Sequence, residues 1–361
     1  MIGLILLLAF AVWRYIDTGL PNAFTADFPS DLKVYLLGGQ KVAADQPLYE
    51  SDLLPGLPFT YPPFAGVVFS WFTESTALGI AWKILSVLVL LLVVRASTSK
   101  HAVLLTAVFM LCLSPVQGTL YFGQINLLLV GLVCLDFLPR NKLPGIGVGL
   151  AAGLKLTPAF FVLLLVQQRR WGAVFIAALT FLCTVATGFS EVVDAKSFWT
   201  DAMFATTRIG TDDNPGAQSI RQVLARAGVD SPVLWLALVA AVTALALFAS
   251  RRAPAPLAIS FIGMTSCLVS PFSWYHHWVW VVPMLVWVYN RWGSLVLALF
   301  MVPYASTNIS SGLFHVPETL FILVPVGFML WYTLLSGYAH PSSRRHNLGG
   351  RSADPRPVRR R

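Results

Sequence analysis

Charge is scarce in this chain. Only 11% of its 361 residues are Asp, Glu, Lys or Arg, while 57% are apolar, and the mean hydropathy is +0.71. A soluble domain carries roughly 25% charged residues, so a water-soluble globule is excluded. Common nucleotide-binding and hydrolase signatures are absent as well: there is no P-loop, no GxGxxG after a strand, no HExxH and no GxSxG. Cysteine is limited to Cys112, Cys134, Cys183 and Cys267, all inside hydrophobic runs and without metal-ligand spacing. They read as buried small hydrophobes, with no structural disulfide in the polar loops. No internal repeat is visible, so the inverted-repeat pattern of many transporters is missing.

What is present is a series of apolar runs of bilayer length, about 17–25 residues each, such as 77–94, 233–250 and 318–337. Segments near 1–15, 61–73, 77–94, 102–116, 123–138, 144–166, 172–189, 232–250, 255–272, 277–290, 293–304 and 318–337 are expected to be spans or parts of spans. The first run has no basic leader and no small-residue cleavage site, and is expected to be retained. The expected fold is an all-α polytopic membrane protein with about 10–12 transmembrane or re-entrant helices. One membrane domain covers 1–338, and a short Arg-rich tail, expected to be disordered, covers 339–361.

The net charge of +9 divides sharply along the chain. Twelve of the sixteen acids fall in 17–60 and 190–230, whereas basic residues cluster at Arg95 and Lys100, Arg140 and Lys142, Arg169 and Arg170, Arg251 and Arg252, and in the tail. Short loops rich in Lys and Arg stay in the cytoplasm. The two acidic loops are therefore expected on the periplasmic or extracellular face of the plasma membrane and the tail on the cytoplasmic face. Contact of the tail with anionic lipid headgroups, or simple enforcement of topology, is a better reading than nucleic acid.

Basic loops at 139–143 and 167–171 flank a single apolar segment of about 23 residues. If both are cytoplasmic, that segment enters and returns as a hairpin of half-helices broken at Gly153-Leu-Lys-Leu-Thr-Pro158. Irregular backbone at that depth is tolerated only beside protein or a wet cavity. The segment beginning at Pro62-Pro63 counts as half a span.

The 17–60 loop is long, aromatic and proline-rich: Asp31-Leu-Lys-Val-Tyr35, Gly38-Gly39, Pro47-Leu-Tyr49 and Leu57-Pro-Phe-Thr-Tyr61-Pro-Pro-Phe64. Ordering it costs entropy, and its aromatics argue against disorder, so chemistry is expected there. Asp31 is the first candidate, against an ordinary solvated aspartate or helix cap; Asp27 is an equal candidate by composition. Lys155, an ionisable group inside an apolar segment, needs an anionic partner such as phosphate, unless it snorkels to an interface. His276 and His277 are a poor metal pair, because adjacent residues face different ways; one of them facing a cavity suits phosphate or sugar hydroxyl. Gln124 and Asn126 either line a polar cavity or cap a helix. Arg208 lies in the second acidic loop on the side of Asp31. Asp212-Asp213 either chelates a cation or forms a solvated turn.

Taken in order, Asp31-Leu-Lys-Val-Tyr35, Leu57–Phe64, Gly123-Gln-Ile-Asn-Leu-Leu, Gly153-Leu-Lys-Leu-Thr-Pro158 and Ser270-Pro-Phe-Ser-Trp-Tyr-His-His-Trp-Val-Trp280 resemble glycosyltransferase family 87 over most of the chain. Members are actinobacterial polyprenyl-phosphate-mannose-dependent α-mannosyltransferases that build phosphatidylinositol mannosides, lipomannan and lipoarabinomannan of the cell envelope. The resemblance implies a GT-C fold, with a multi-helix membrane body and a catalytic first outer loop. It also implies a polyprenyl-phosphate-mannose donor, a glycolipid acceptor, membrane lipids as surroundings and no cofactor. Residue by residue, it places the catalytic carboxylate at Asp31, the intramembrane lysine at Lys155 and the histidine at His276 or His277. Arg208, Tyr35, Tyr61, Gln124 and Asn126 join these as the expected phosphate- and substrate-binding set. Related enzymes carry a paired-acid motif where this chain has Lys33, which implies metal independence. An inverting transfer giving an α-(1→2) mannoside is the family's usual outcome. The competing expectations are a lipid or polyol transporter or flippase, and a GT-C transferase of another polyprenyl-phosphate sugar such as arabinose.

Overall fold

The computed structural model describes residues 2–17, 28–98, 103–138, 144–205, 208–304 and 320–338. Asp27, most of the basic loops at 98–102 and 139–143, and the Arg-rich tail lie outside the described residues. The described chain is almost wholly helical, and every apolar segment marked above carries a helix or a pair of short helices. The protein is an all-α polytopic membrane protein.

Three helices are long and apolar enough to cross a bilayer unaided: Thr76–Ser97, Trp171–Glu191 and Pro232–Ser250. Their large apolar residues point outward in rows three or four apart, as with Ile80, Ile84, Leu88 and Leu92, or Phe175, Leu179 and Leu182. One helical face bearing such a row in a soluble protein would be a large exposed apolar patch; here it is the surface that meets lipid. Cys183 lies on such a face and is exposed, which corrects the expectation that all four cysteines are buried.

Elsewhere the spans are broken. Val103–Leu111 and Ser114–Phe122 form one path bent by 73°. Leu111 and Leu113 flank the bend, and Pro115 sits in the first turn of the second piece, where its missing N–H costs no helical bond. Arg14 on the helix Ile2–Asp17 reaches this bend and donates from Nε to the Cys112 carbonyl at 3.0 Å. A helix break frees such a carbonyl, and inside a membrane it needs a donor.

The segment around Lys155 forms the anticipated hairpin. Ile146–Leu154 ends at Lys155, whose backbone is extended, and the chain resumes in a 3₁₀ turn at Thr157–Phe161 and the helix Val162–Gln167. A Cβ added at Gly145 would meet Ala173; at Gly149, Ala177 and Thr180; at Gly153, Thr184. The contacting numbers rise together, so Ile146–Leu154 and Trp171–Glu191 run parallel. Two consecutive parallel helices require an intervening return, which 157–167 supplies. Glycine at these three positions lets the backbones approach closely, as membrane helix pairs do. Asp136, buried at the end of Asn126–Phe137, accepts from the Gly145 and Val148 amides at 2.8 and 2.7 Å and so caps the entering half-helix.

The first acidic loop is largely folded. Ser30–Ala43 is a helix, Asp52–Leu54 pairs with Leu57–Pro58 in a small hairpin, and Pro63–Phe69 is the short half-span. The second loop grips it: the Asp194 carboxylate accepts from the Leu48 and Tyr49 amides at 2.8 and 2.7 Å. That second loop also packs on 271–278, where Gln218 bonds the Ser273 carbonyl and the Trp278 indole donates to Gln218. Both acidic loops and the 270–280 segment therefore share one end of the bundle.

Candidate active site

Asp31 sits in the first turn of the loop helix Ser30–Ala43 rather than in irregular loop, and Pro29 occupies the cap position. A carboxylate there faces the positive end of the helix dipole. Its Oδ1 accepts from Ser30 Oγ at 3.1 Å, and its Oδ2 accepts from Gln124 Nε2. Burial raises its pKa above the ordinary aspartate value, opposed first by the Gln124 hydrogen bond, then by Ser30 and by the charge of Lys155. Lys33 points away, pairing with Glu74 at 3.4 Å on the exposed face.

Gln124 is held from behind. The helix Ser114–Phe122 ends at Gly123 in the left-handed region, φ 69°, a conformation glycine adopts without strain. That turn delivers Gln124 toward the loop helix, and Trp82 braces it by donating to the Gly123 carbonyl at 2.9 Å. Tyr35 and Tyr61 hydroxyls lie 3.1 and 3.0 Å from Gln124 Oε1 and 2.7 Å from each other. With its oxygen so engaged, the amide presents its nitrogen to Asp31. Both tyrosines are buried, and burial keeps their hydroxyls protonated far into the alkaline range.

Lys155 lies on the other side of Tyr61, its Nζ 5.2 Å from the ring centroid. It donates to Asn126 Oδ1 at 3.0 Å, and Asn126 Nδ2 in turn donates to the His276 carbonyl at 2.9 Å, which Thr119 also reaches at 2.9 Å. No described carboxylate pairs with Lys155. A small cavity beside it is lined by Asn126, Thr157, Ser273, His277 and Trp280. Asn126 lines that cavity, whereas Gln124 faces Asp31 and the two tyrosines; neither side chain caps the helix Asn126–Phe137.

The two histidines separate. His277 lines the Lys155 cavity, with Nδ1 3.5 Å from Ser273 Oγ. His276 is 5% exposed and stacks on Trp274 and against Phe122, with both ring nitrogens unbonded among the described residues. Arg208 stands further out, donating to the Tyr49 carbonyl at 3.0 Å, while the Tyr49 hydroxyl donates to the Tyr61 carbonyl at 2.8 Å. Asp212 is ion-paired to Arg221 at 2.8 Å and bonded to Gln222, which leaves the solvated-turn reading of Asp212-Asp213 incomplete. Among the described residues no cluster of three His, Cys, Asp or Glu side chains has metal-holding geometry.

Sequence reading missed Arg14, Asp136 and Asp194. The first two were detectable as ionisable residues in apolar runs. Asp194 carried no local signal, since its partners are amides about 145 positions earlier.

The arrangement therefore links a carboxylate able to take a proton, through Gln124 and Tyr61, to a cation that can meet an anion. Residues 59–271 match the model of glycosyltransferase family 87. The chain belongs to glycosyltransferase family 87. Its curated relatives include a Mycobacterium tuberculosis protein named polyprenol-phosphate-mannose-dependent alpha-(1-2)-phosphatidylinositol pentamannoside mannosyltransferase, 31% identical over 96% of this chain and 85% of the relative. Two others are named polyprenol-phosphate-mannose-dependent alpha-(1-2)-phosphatidylinositol mannoside mannosyltransferases. The one from Mycolicibacterium smegmatis is 33% identical over 71% of this chain and 68% of its own length. The one from Mycobacterium tuberculosis is 34% identical over 76% and 74%. No solved structure matches this family 87 member. The family match begins at Phe59, after Asp31 and Tyr35, whereas the alignment with the first relative takes in nearly the whole chain.

Proposed function

We propose that this glycosyltransferase moves mannose from polyprenol-phosphate-mannose to a hydroxyl of a phosphatidylinositol mannoside, forming an α-(1→2) bond with inversion at the outer membrane face. The observation that supports it most is the connected set in which Asp31 bonds Gln124, Gln124 bonds the Tyr61 hydroxyl, and Lys155 stands over the Tyr61 ring and bonds Asn126. The acceptor oxygen attacks the anomeric carbon while the bond from that carbon to the phosphate oxygen breaks. The acceptor proton passes to Asp31, and the electron pair leaves with polyprenyl phosphate. Phosphate tolerates the charge without protonation, so one carboxylate is enough, unlike the pair a glycosidase uses. Lys155 neutralises the departing phosphate, with His277 beside it as the imidazole lining the same cavity. Tyr35 and Tyr61 fix Gln124, which aims Asp31. Arg208 braces the loop over the site through Tyr49. The supporting aspects of metal independence are Lys33 and its outward pairing with Glu74.

Purified protein given polyprenyl-phosphate [¹⁴C]mannose and a mannolipid acceptor forms radiolabelled product, unchanged by excess EDTA. Asp31→Asn lowers the rate on the order of 10²–10⁴. Full activity in the folded variant removes Asp31 from the role, and turnover only with the arabinose donor replaces mannose as the substrate. Sidedness is read with a membrane-impermeant maleimide. A cysteine placed at Glu50 reacts in intact cells, and one at Arg344 reacts only after permeabilisation; the reverse pattern overturns the topology.

A further inference from the structure

The second acidic loop holds a cleft of about 640 Å³ where the helix Ile220–Arg226 meets the start of the span Pro232–Ser250. That volume lies within the roughly 300–1,000 Å³ range of small-molecule sites. Trp235, Leu224 and Val229 supply apolar wall; Asp212, Arg221 and Asp230 supply polar groups. Flat apolar surface beside fixed donors and acceptors suits a pyranose, whose C–H face packs on an indole while its hydroxyls bond carboxylate and guanidinium.

Charge narrows the occupant. Arg221 is already paired with Asp212, and Asp230 is exposed and unpaired by any described residue. The cleft is net negative, which disfavours a phosphate or inositol-phosphate headgroup and leaves a neutral sugar. Position narrows it further. Val233, Leu234 and Leu236, on the first turns of the adjoining span, are exposed apolar residues at the lipid boundary. Gln222 links the cleft to the catalytic segment, donating to Asp212 at 3.0 Å and to the Pro271 carbonyl at 2.8 Å, two residues before Ser273 of the Lys155 cavity.

We infer that this cleft is a carbohydrate subsite holding a mannosyl unit of the glycolipid acceptor that does not itself react. This rests on the mannosyltransferase reading and extends it to acceptor choice: an acceptor with several mannosyl units reaches the cleft, and one with a single unit does not.

The test uses the full-length protein in nanodiscs. Soluble α-(1→2)-mannobiose is titrated with detection by saturation-transfer NMR, with maltose and inorganic phosphate as separate arms. Mannobiose binds saturably, and maltose and phosphate do not. Trp235→Ala and Asp230→Asn each weaken that binding. Each also raises KM for a multi-mannosyl acceptor about tenfold while kcat and the KM of a single-mannose acceptor stay put. Asp230 is exposed, so Asp230→Asn keeps the fold if Trp235→Ala does not. Parent-like mannobiose binding in both folded variants, equal binding of maltose, or an equal KM rise for all acceptors overturns the subsite. Mannobiose binding through Trp235 in a protein that transfers no mannose leaves the cleft standing and sinks the transferase reading instead.

Discussion

Asp31 owes its raised pKa to burial among neighbours that no local pattern reveals. A carboxylate pushed upward by burial is a stronger base than a solvated one, but is also lost sooner on acidification. Activity should therefore fall as pH drops through a value above the ordinary aspartate range near 3.8. Gln124 holds that value down, so Gln124→Leu removes the opposing hydrogen bond and shifts the acid limb of kcat/KM to higher pH. The same change leaves the two buried tyrosine hydroxyls only each other, so one hydroxyl proton loses its acceptor, at a cost of about 1–3 kcal/mol. A pH profile with an unmoved acid limb in Gln124→Leu would show that the amide only fills space. Sequence made Asp31 and Gln124 visible as separate candidates; it could not pair residues 93 positions apart.

Among the elements, the broken span matters most to the proposed site. Lys155 reaches the cavity because the helix stops one residue before it and the chain turns back, leaving its backbone extended and its ammonium beside Asn126. The parallel seam Gly145–Gly149–Gly153 holds that break against Trp171–Glu191. A Cβ at Gly149 would stand 2.6 Å from the Ala177 carbonyl oxygen. Gly149→Leu should cost on the order of 1–3 kcal/mol by overpacking and lower activity with it. Gly172→Ala, where a new Cβ meets nothing within 4 Å, should leave both unchanged or gain slightly in helix stability. Equal thermal shifts for the two variants in detergent would contradict the seam. The hairpin was legible from two basic loops flanking too short a run for two spans, because charge at loop ends is a sequence property.

For the whole molecule, the two acidic loops act as one lid-like layer over the bundle end. Asp194 ties them through two backbone amides, and Arg208 adds a third bond at the Tyr49 carbonyl. Asp194→Ala should leave the membrane spans intact. It should free 44–62, seen as faster hydrogen exchange there, and lower transfer activity by misplacing Tyr61. Unchanged exchange in 44–62 would assign the anchoring elsewhere. The apolar rows on Thr76–Ser97, Trp171–Glu191 and Pro232–Ser250 face outward for the same reason that soluble helices face theirs inward: each meets the phase that costs it least.

Composition alone settled the membrane class, and charge placement alone marked which loops lie together, because partition into lipid depends on residue type and not on partners. Lys155, the histidine pair and the order of five short motifs were also readable, since an ionisable or aromatic cluster in an apolar run stands out locally. Tertiary structure decided everything that depends on distance. It turned the first loop into a helix with Asp31 in its opening turn, divided His276 from His277 and clamped Gln124 between two tyrosines. It also buried Arg14 and Asp136 against helix breaks. Those outcomes come from chain segments meeting across tens to hundreds of residues, where close packing and the need to satisfy every buried polar group select one arrangement.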